Sequence, residues 1–202
     1  DTSFTDSQIA RFDSVLGNLQ RAGIETGWVH IANSAATLRR ADAHRDLVRV
    51  GIAMYGIAPD TSMDSMCSNL RQALSLKSRV SFIKKVSAGE GISYGQRYQV
   101  REATRIATIP LGYADGVPRR LSAVGGEVLI ADQRFPIVGR VTMDQLMVDC
   151  GDDDVARGDE VVLIGRQGED VITAEQWADR LDTITYEVTC GFGARLPRRL
   201  AR

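Results

Sequence analysis

Pro59-Asp60-Thr61-Ser62-Met63-Asp64-Ser65-Met66-Cys67 is the stretch at which the sequence changes character. Before it, helix-like and strand-like patterns alternate; after it, short strand-like runs follow one another between glycine turns. Asp60, Thr61, Ser62, Asp64 and Ser65 give the stretch the polar texture of a connector. A boundary is therefore placed near residue 68, with two domains expected over 1–68 and 69–202.

Working upstream, Thr5-Asp6-Ser7-Gln8 has the spacing of a capping box, and Ile9, Phe12, Val15, Leu16 and Leu19 recur at helical spacing. With Gly23 as a stop, this predicts an amphipathic helix over roughly residues 6–22. Trp28–Ala32 reads as a short buried strand, and Asn33-Ser34-Ala35-Ala36 opens a short helix to about Arg40. Leu47–Val50 reads as a second strand, broken by Gly51 and followed by Ile52–Gly56. Such alternation is the rhythm of a parallel sheet or a β/α barrel.

Downstream, the strand-like runs are Ala73–Val86, Arg105–Leu111, Glu127–Ile130, Phe135–Val141, Gln145–Asp149 and Glu160–Ile164. One helix is expected over Thr173–Leu181, with a capping-box start at Thr173-Ala174-Glu175-Gln176. Ile184–Thr189 is read as a final strand, and Arg198-Arg199 as a solvated end. Many short strands with regular turns point to a barrel or sandwich. The fold class is thus α/β plus all-β, with no internal repeat or low-complexity segment.

The bulk composition is that of an ordinary globular protein, 44% hydrophobic and 25% charged over 202 residues. Its 25 basic and 26 acidic residues leave a formal charge of −1, which offers no general attraction for nucleic acid or an anionic membrane. No apolar run approaches the roughly 18 residues of a bilayer span. The opening Asp1-Thr2-Ser3-Phe4-Thr5-Asp6 is polar and acidic, unlike a signal peptide. Cys67, Cys150 and Cys190 are odd in number and far apart, so no disulfide framework is expected and a reducing cytoplasm fits best. His30 and His44 are the two histidines, too few to suggest a zinc site. Lys77, Lys84 and Lys85 are the chain's lysines; its other basic residues are arginines.

Several residues are candidates for chemistry. Gly89-Glu90-Gly91-Ile92-Ser93-Tyr94-Gly95-Gln96-Arg97-Tyr98 follows the apolar run Val80–Val86 and reads as a strand breaking into a shaped loop. Tyr94 would be presented there, either as a proton-transfer group or as the aromatic plug of a turn. A tyrosine with an ordinary pKa of about 10 is a poor base at neutral pH. Asn33 and Ser34 sit between a strand and a helix start, and Gly51-Ile52 ends the next strand. Free N–H groups and a hydroxyl at two adjacent strand ends make either a phosphate cradle or an ordinary cap. Arg49, among apolar neighbours, is read as buried and paired, as an ion-pair member or a ligand contact. His30 in its apolar run reads as a satisfied core histidine. Asp115 has the look of a turn carboxylate, and Met143-Asp144-Gln145 by itself says nothing.

In order along the chain, His30–Ala36, Arg49–Gly56, Gly91–Gly95, Gly112–Arg119 and Gly139–Gln145 resemble consecutive motifs of alanine racemase. Tyr186-Glu187-Val188 and Leu196-Pro197-Arg198 extend the resemblance to the end of the chain. It implies an N-terminal (β/α)₈ barrel, of TIM-barrel type, that binds pyridoxal 5′-phosphate (PLP), followed by a β domain. The present chain would hold the C-terminal remnant of the barrel (1–68) and the β-strand-rich, barrel-like domain (69–202). The implied activity is an isomerase interconverting L- and D-alanine through a PLP aldimine, supplying D-alanine for peptidoglycan and the cell wall, in the cytoplasm.

By the same resemblance Ser34 binds the PLP phosphate, with Asn33 beside it and Gly51 and Ile52 adding backbone N–H groups. Arg49 faces the pyridine nitrogen, supported by His30. Because an arginine does not readily release its proton, the ring stays unprotonated and is a weaker electron sink. Tyr94 is the implied acid/base on one face of the substrate, its pKa lowered by positive charge through Arg49. Met143 offers its N–H near the substrate carboxylate, and Tyr113 belongs to the entrance. Tyr94, Tyr113 and Met143 serve the partner subunit's cofactor in the family, so a homodimer with shared sites is implied. Neither metal nor nucleic acid is expected.

Two departures stand out. A second entrance tyrosine of the family aligns with Ala194, which suggests a looser gate and, as an alternative, a racemase for serine or a bulkier amino acid. The family's PLP-bearing lysine falls in no matching motif here, since Lys77, Lys84 and Lys85 all lie in the β domain. With two barrel strands in view, a closed barrel is impossible within this chain. The expectation is a fragment inactive without its N-terminal half; the rival reading is a non-catalytic dimerisation or PLP-binding module.

Overall fold

The computed structural model describes residues 2–200; Asp1, Ala201 and Arg202, which fall in the two domain ranges above, lie outside the described residues. The chain divides into two compact units, Asp1–Ala73 and Leu74–Arg202.

The first unit begins with helix α1 (Thr2–Arg21). The Thr5–Gln8 sequence is therefore inside the helix rather than its cap, and Ser7 Oγ donates to the Phe4 carbonyl instead. Ile9 is the buried residue of α1, in a small core with Ala32 and Ala43, against which Ile31, Ala36 and Val48 pack. Arg40 reaches both Asp6 of α1 and Asp42, and Arg45 pairs with Asp13 at 2.6 Å. These contacts hold the helix to the 40–46 segment; the Asp42 carboxyl is kept below its ordinary value chiefly by the Arg40 hydrogen bond.

Neither strand expected in this unit is present. Residues 28–32 and 46–49 form no ladder and are joined by two backbone bonds, Asp46 N–H to the Val29 carbonyl (3.0 Å) and Arg49 N–H to that of Ala32 (2.8 Å). Strand character arises from a repeated ladder, and apolar composition alone does not supply one. Trp28, expected to be buried, is 77% exposed. The short helix is α2 (Ser34–Arg39). The polar stretch 59–67 is no loose connector: Met63 and Cys67 are buried in it, and Arg39 donates to the Ser62 carbonyl and hydroxyl at 3.1 and 3.0 Å.

The second unit is built on an antiparallel sheet of eight strands. Its members are β1 (Leu76–Arg79), β2 (Phe82–Val86), β5 (Thr104–Ile109), β6 (Glu127–Ile130), β7 (Gln133–Val138), β8 (Leu146–Asp149), β9 (Glu160–Gln167) and β10 (Asp170–Ile172). They run in the order β1-β9-β6-β7-β8-β5-β2, with β10 added to the far end of β9. The run read as one strand, 73–86, breaks at Val80-Ser81. Val80 N–H donates to Asp159 on the β9 side, and Ser81 N–H to Thr108 on the β5 side. One stretch of chain thus pairs with both ends of the sheet, which curls it into the barrel-like form expected. A separate hairpin, β3 (Gly91–Ile92) with β4 (Tyr98–Gln99), projects from this sheet.

Val128–Ile130 and Val161–Ile164 are fully sealed from solvent. Continuous burial means that both faces of these strands are covered, which is why their sequences show no alternation. Helix α3 (Ala174–Leu181) begins at the capping box read from the sequence, with Thr173 Oγ1 accepting from Gln176 N–H at 3.2 Å. Its Trp177 is buried and meets Phe192 edge-on, with centroids 6.2 Å apart. The last expected strand, 184–189, is instead helix α4 (Thr185–Cys190). The apolar alternation of Ile184, Tyr186 and Val188 misleads: Ile184 is 61% exposed, while Val188 and Thr189 are buried. Thr189 Oγ1 donates back to the Thr185 carbonyl at 3.0 Å, a bond available only on a helix. Lys77, Lys84 and Lys85 lie exposed on β1 and β2.

Candidate functional site

In the first unit the candidate residues gather where segments 28–32 and 46–49 end. Asn33, not Ser34, caps α2: its Oδ1 accepts the Ala36 N–H at 3.0 Å. That leaves the buried Ser34 hydroxyl to accept the Gly51 N–H at 2.9 Å, joining loops 17 residues apart. The N–H groups of Ser34 and Ala35 open the helix, where helical geometry gives them no intrahelical partner. A hydroxyl, a helix start and the Gly51-Ile52 backbone therefore converge, with a chemistry suited to a phosphate dianion.

Two residues before Gly51, Arg49 Nη1 donates to His30 Nδ1 at 2.9 Å. Both side chains are exposed, which corrects the buried arginine and the core histidine of the sequence reading. The short stretches here lack the layer of neighbours that would enclose them. An arginine only donates, so His30 Nδ1 accepts and its ring proton sits on Nε2. A concavity of about 880 Å³ borders α1 and is lined by Ile9, Phe12, Val15, Ile31, Ala36 and Arg49 among others; Ser34, Gly51 and Ile52 stand outside it.

In the second unit, Tyr94, Tyr113 and Met143 occupy three loops tied to one another. Tyr94 is 72% exposed at the tip of the β3–β4 hairpin, as its loop predicts. The residue before it, Ser93, has φ 62° and ψ −174°, a region used almost only by glycine and costing roughly 1–3 kcal/mol. Ser93 Oγ donates to the Arg140 carbonyl at 2.8 Å. The same 139–145 loop carries Met143. Tyr113 N–H donates to the Thr142 carbonyl at 2.9 Å and Ala114 N–H to that of Met143 at 3.0 Å. A Cβ on Gly112 would fall 2.3 Å from both carbonyl oxygens, so only glycine permits this approach.

Asp115, the expected turn carboxylate, is buried and accepts the Gly112 N–H at 3.0 Å. Arg195 of the C-terminal segment lies 3.5 Å from Asp115 and 2.7 Å from Asp144, beside Met143. Ala194 is exposed next to it. Four contributors were not singled out in the sequence: Ser93, Gly139, Tyr98 and Asp149. Asp149 lies 51 residues from Tyr98, whose phenol it receives, and no local pattern announces that pairing.

Comparison with known proteins bears on this arrangement as a whole. Residues 73–200 match the family model "Alanine racemase, C-terminal domain", and residues 1–59 match "Alanine racemase, N-terminal domain". The chain belongs to the alanine racemase family. It is 50% identical over 199 residues to the alanine racemase of Carboxydothermus hydrogenoformans, covering 98% of this chain and 54% of that protein. Identity to the alanine racemase of Salinispora tropica is 47% over 195 residues, covering 96% and 51%. Among solved structures, the alanine racemase of Bacillus anthracis with bound L-Ala-P superposes with a TM-score of 0.94 at 44% identity, covering 100% of this chain and 52% of that one. The Clostridium difficile alanine racemase in complex with cycloserine gives 0.87 at 40% identity, covering 97% and 51%. The chain spans about half the length of the relatives it matches.

Proposed function

We propose that this chain is the C-terminal half of a PLP-dependent alanine racemase, with residues 1–68 the end of the cofactor-binding barrel and 69–202 the β domain. The observation that carries the reading is the joining of Ser34 Oγ to Gly51 N–H, with Arg49 held on His30 two residues away. These groups fit the cofactor's two ends, a phosphate and a ring nitrogen. PLP, when bound, would supply the electron sink that makes Cα–H acidic.

The chain's own residues then have separable tasks. Ser34, the Ile52 N–H and the start of α2 hold the phosphate; the Gly51 N–H makes the Ser34 oxygen an acceptor and so frees the hydroxyl proton for the phosphate, and Asn33 fixes the start of α2. Arg49 keeps a permanent cation at the ring nitrogen and so leaves that nitrogen unprotonated. Tyr94 moves the proton on one face of Cα, Met143 N–H receives the substrate carboxylate, and Tyr113 narrows the approach. The second acid/base, a PLP-bearing lysine, belongs to the half of the family's length outside this chain. The remaining barrel strands come from the same half. The working enzyme is a cytoplasmic homodimer with sites shared between subunits, making D-alanine for peptidoglycan. Among the described residues no helix is long and apolar enough to cross a membrane.

The test is co-expression of this chain with the N-terminal half of the Carboxydothermus hydrogenoformans relative, followed by an assay of D-alanine formed from L-alanine. Turnover is expected from the pair and not from the chain alone. Tyr94→Phe should lower it by about 10²–10⁴-fold, the usual contribution of a general acid/base. Ser34→Ala should weaken PLP binding about tenfold or more, as loss of a hydrogen bond to a charged group does. A pair that assembles and binds PLP without turning over alanine would leave a binding module instead.

A further inference from the structure

The β3–β4 hairpin is short: its ladder joins Gly91 with Gln99 and Ile92 with Tyr98, two bonds between Gly89-Glu90 and Val100 extend it, and Ile92 and Val100 bury its base. Two anchors outside the ladder fasten it to the sheet. The first is Ser93, whose hydroxyl holds the Arg140 carbonyl although its backbone sits where glycine would rest more easily. Gly139 makes this contact possible: a Cβ there would stand 2.8 Å from Ser93 Cβ and 3.0 Å from the Ile92 carbonyl oxygen.

The second anchor closes the hairpin's other arm. The Tyr98 phenol donates to Asp149 Oδ2 at 2.5 Å, while Asp149 Oδ1 accepts the Thr104 hydroxyl and, at 3.1 Å, the Gly151 N–H. Burial and the Asp149 carboxylate push the Tyr98 phenol up to about 12, so it stays a proton donor. Its ring packs on the core formed by Val86, Ile92, Val100, Ile106 and Val138. Tyr94 lies between the anchors, one residue after Ser93 and four before Tyr98.

We propose that Ser93 and the Tyr98–Asp149 pair are positioning residues, which clamp the hairpin at both ends and so fix the place from which Tyr94 transfers its proton. The inference rests on the reading of Tyr94 as the acid/base. Neither anchor touches the substrate; both act through the hairpin.

Ser93→Gly and Tyr98→Phe test it in the assembled two-half enzyme. Ser93→Gly removes the hydroxyl while relieving the backbone, and Tyr98→Phe removes the phenol while keeping the ring in its core. Amide hydrogen exchange of residues 91–99 should quicken about five- to tenfold in each, the factor given by one lost hydrogen bond, while residues 160–167 keep the parent rate. The kcat for alanine should fall about five- to tenfold in each, with KM within about twofold, since the substrate's own contacts remain. Unchanged exchange at 91–99 overturns the clamp. Quickened exchange with parental kcat overturns the positioning role. A parent enzyme without alanine turnover would instead overturn the reading of Tyr94, and the exchange rates would then judge the clamp by themselves.

Discussion

In the first unit the apolar positions of α1 stay largely open: Phe4 and Val15 are 62% and 55% exposed, and Ile9 is the buried one. In the second, Val161, Val162, Leu163 and Ile164 are sealed completely, between strands on either side and layers above and below. Both units were built from the same kind of sequence, short apolar runs bounded by turn residues. What differs is the supply of neighbours. A run that finds two ladder partners becomes a buried strand, and one that finds two isolated hydrogen bonds remains irregular chain. The arrangement of chemistry follows the same division. The Ser34 and Arg49 side chains make one bond each, to Gly51 and His30, whereas the Tyr94 hairpin is fastened at both ends.

The contrast can be broken most directly by truncating one core residue in each unit. Leu129→Ala should destabilise the second unit by about 2–5 kcal/mol, because its surroundings are closed and cannot collapse into the gap. Ile9→Ala should cost the first unit about 2 kcal/mol, the transfer term for three buried carbons, with little added for a cavity because the concavity beside it already opens to water. Buried Trp177 reports the second unit's denaturant melt by fluorescence, and amide exchange of residues 2–21 in the same denaturant series reports the first unit's. Equal losses would show that the first unit is as closed as the second.

A smaller effect sharpens the comparison at the helix caps. Thr173→Ala dismantles a reciprocal capping box and should cost the second unit about 1 kcal/mol. Asn33→Ala removes a single side-chain bond at α2 and should cost about half as much, by the same measurements. A larger loss from Asn33→Ala would mean that the loop it caps organises more of the first unit than its contacts suggest.

The smallest expected effect is electrostatic. Arg134 grips Asp170 through two parallel bonds, at 2.6 and 2.7 Å, and holds its carboxyl below the ordinary value of 3.8. A depressed folded-state pKa adds stability above the unfolded value and loses it as pH falls through the folded one. The contribution is therefore whole at neutral pH and fades below about pH 3.8. Asp170→Asn should lower the second unit's stability slightly at pH 7 and flatten its decline on the acid side, measured as melting temperature against pH. An unchanged acid limb would mean that the pair, half exposed as it is, contributes nothing.

Much of the second unit was legible because its signals are local. The strand Glu127–Ile130 and the capping box at Thr173 were visible where they stand, and so was the loop that presents Tyr94. The misreadings share one cause. Trp28–Ala32, Leu47–Val50 and Ile184–Thr189 are all short β-branched or aromatic stretches whose final state depends on what lies beside them, and a linear reading cannot see that. Most candidate residues were singled out by their loop and strand-end settings, and the family motifs added Met143 and Tyr113 and supplied every role; periodicity contributed none of them. Ser93 and Asp149 escaped because their work is done across 47 and 51 residues of sequence, with Arg140 and Tyr98.

The break at Val80-Ser81 has a consequence for how the chain reaches its folded form. Strand β2 meets its partner within 26 residues, Phe82 against Thr108, whereas β1 must wait for Glu160–Ile164, more than 80 residues further on. During synthesis β1 is thus made early and keeps a bare edge until β9 follows. Lys77 lies exposed on β1, where flexible charge makes a poor template for a foreign strand. Lys77 meets Glu160 at 2.9 Å once β9 arrives. The waiting strand thus carries its own deterrent to a wrong partner, and that charge is matched when the right one arrives.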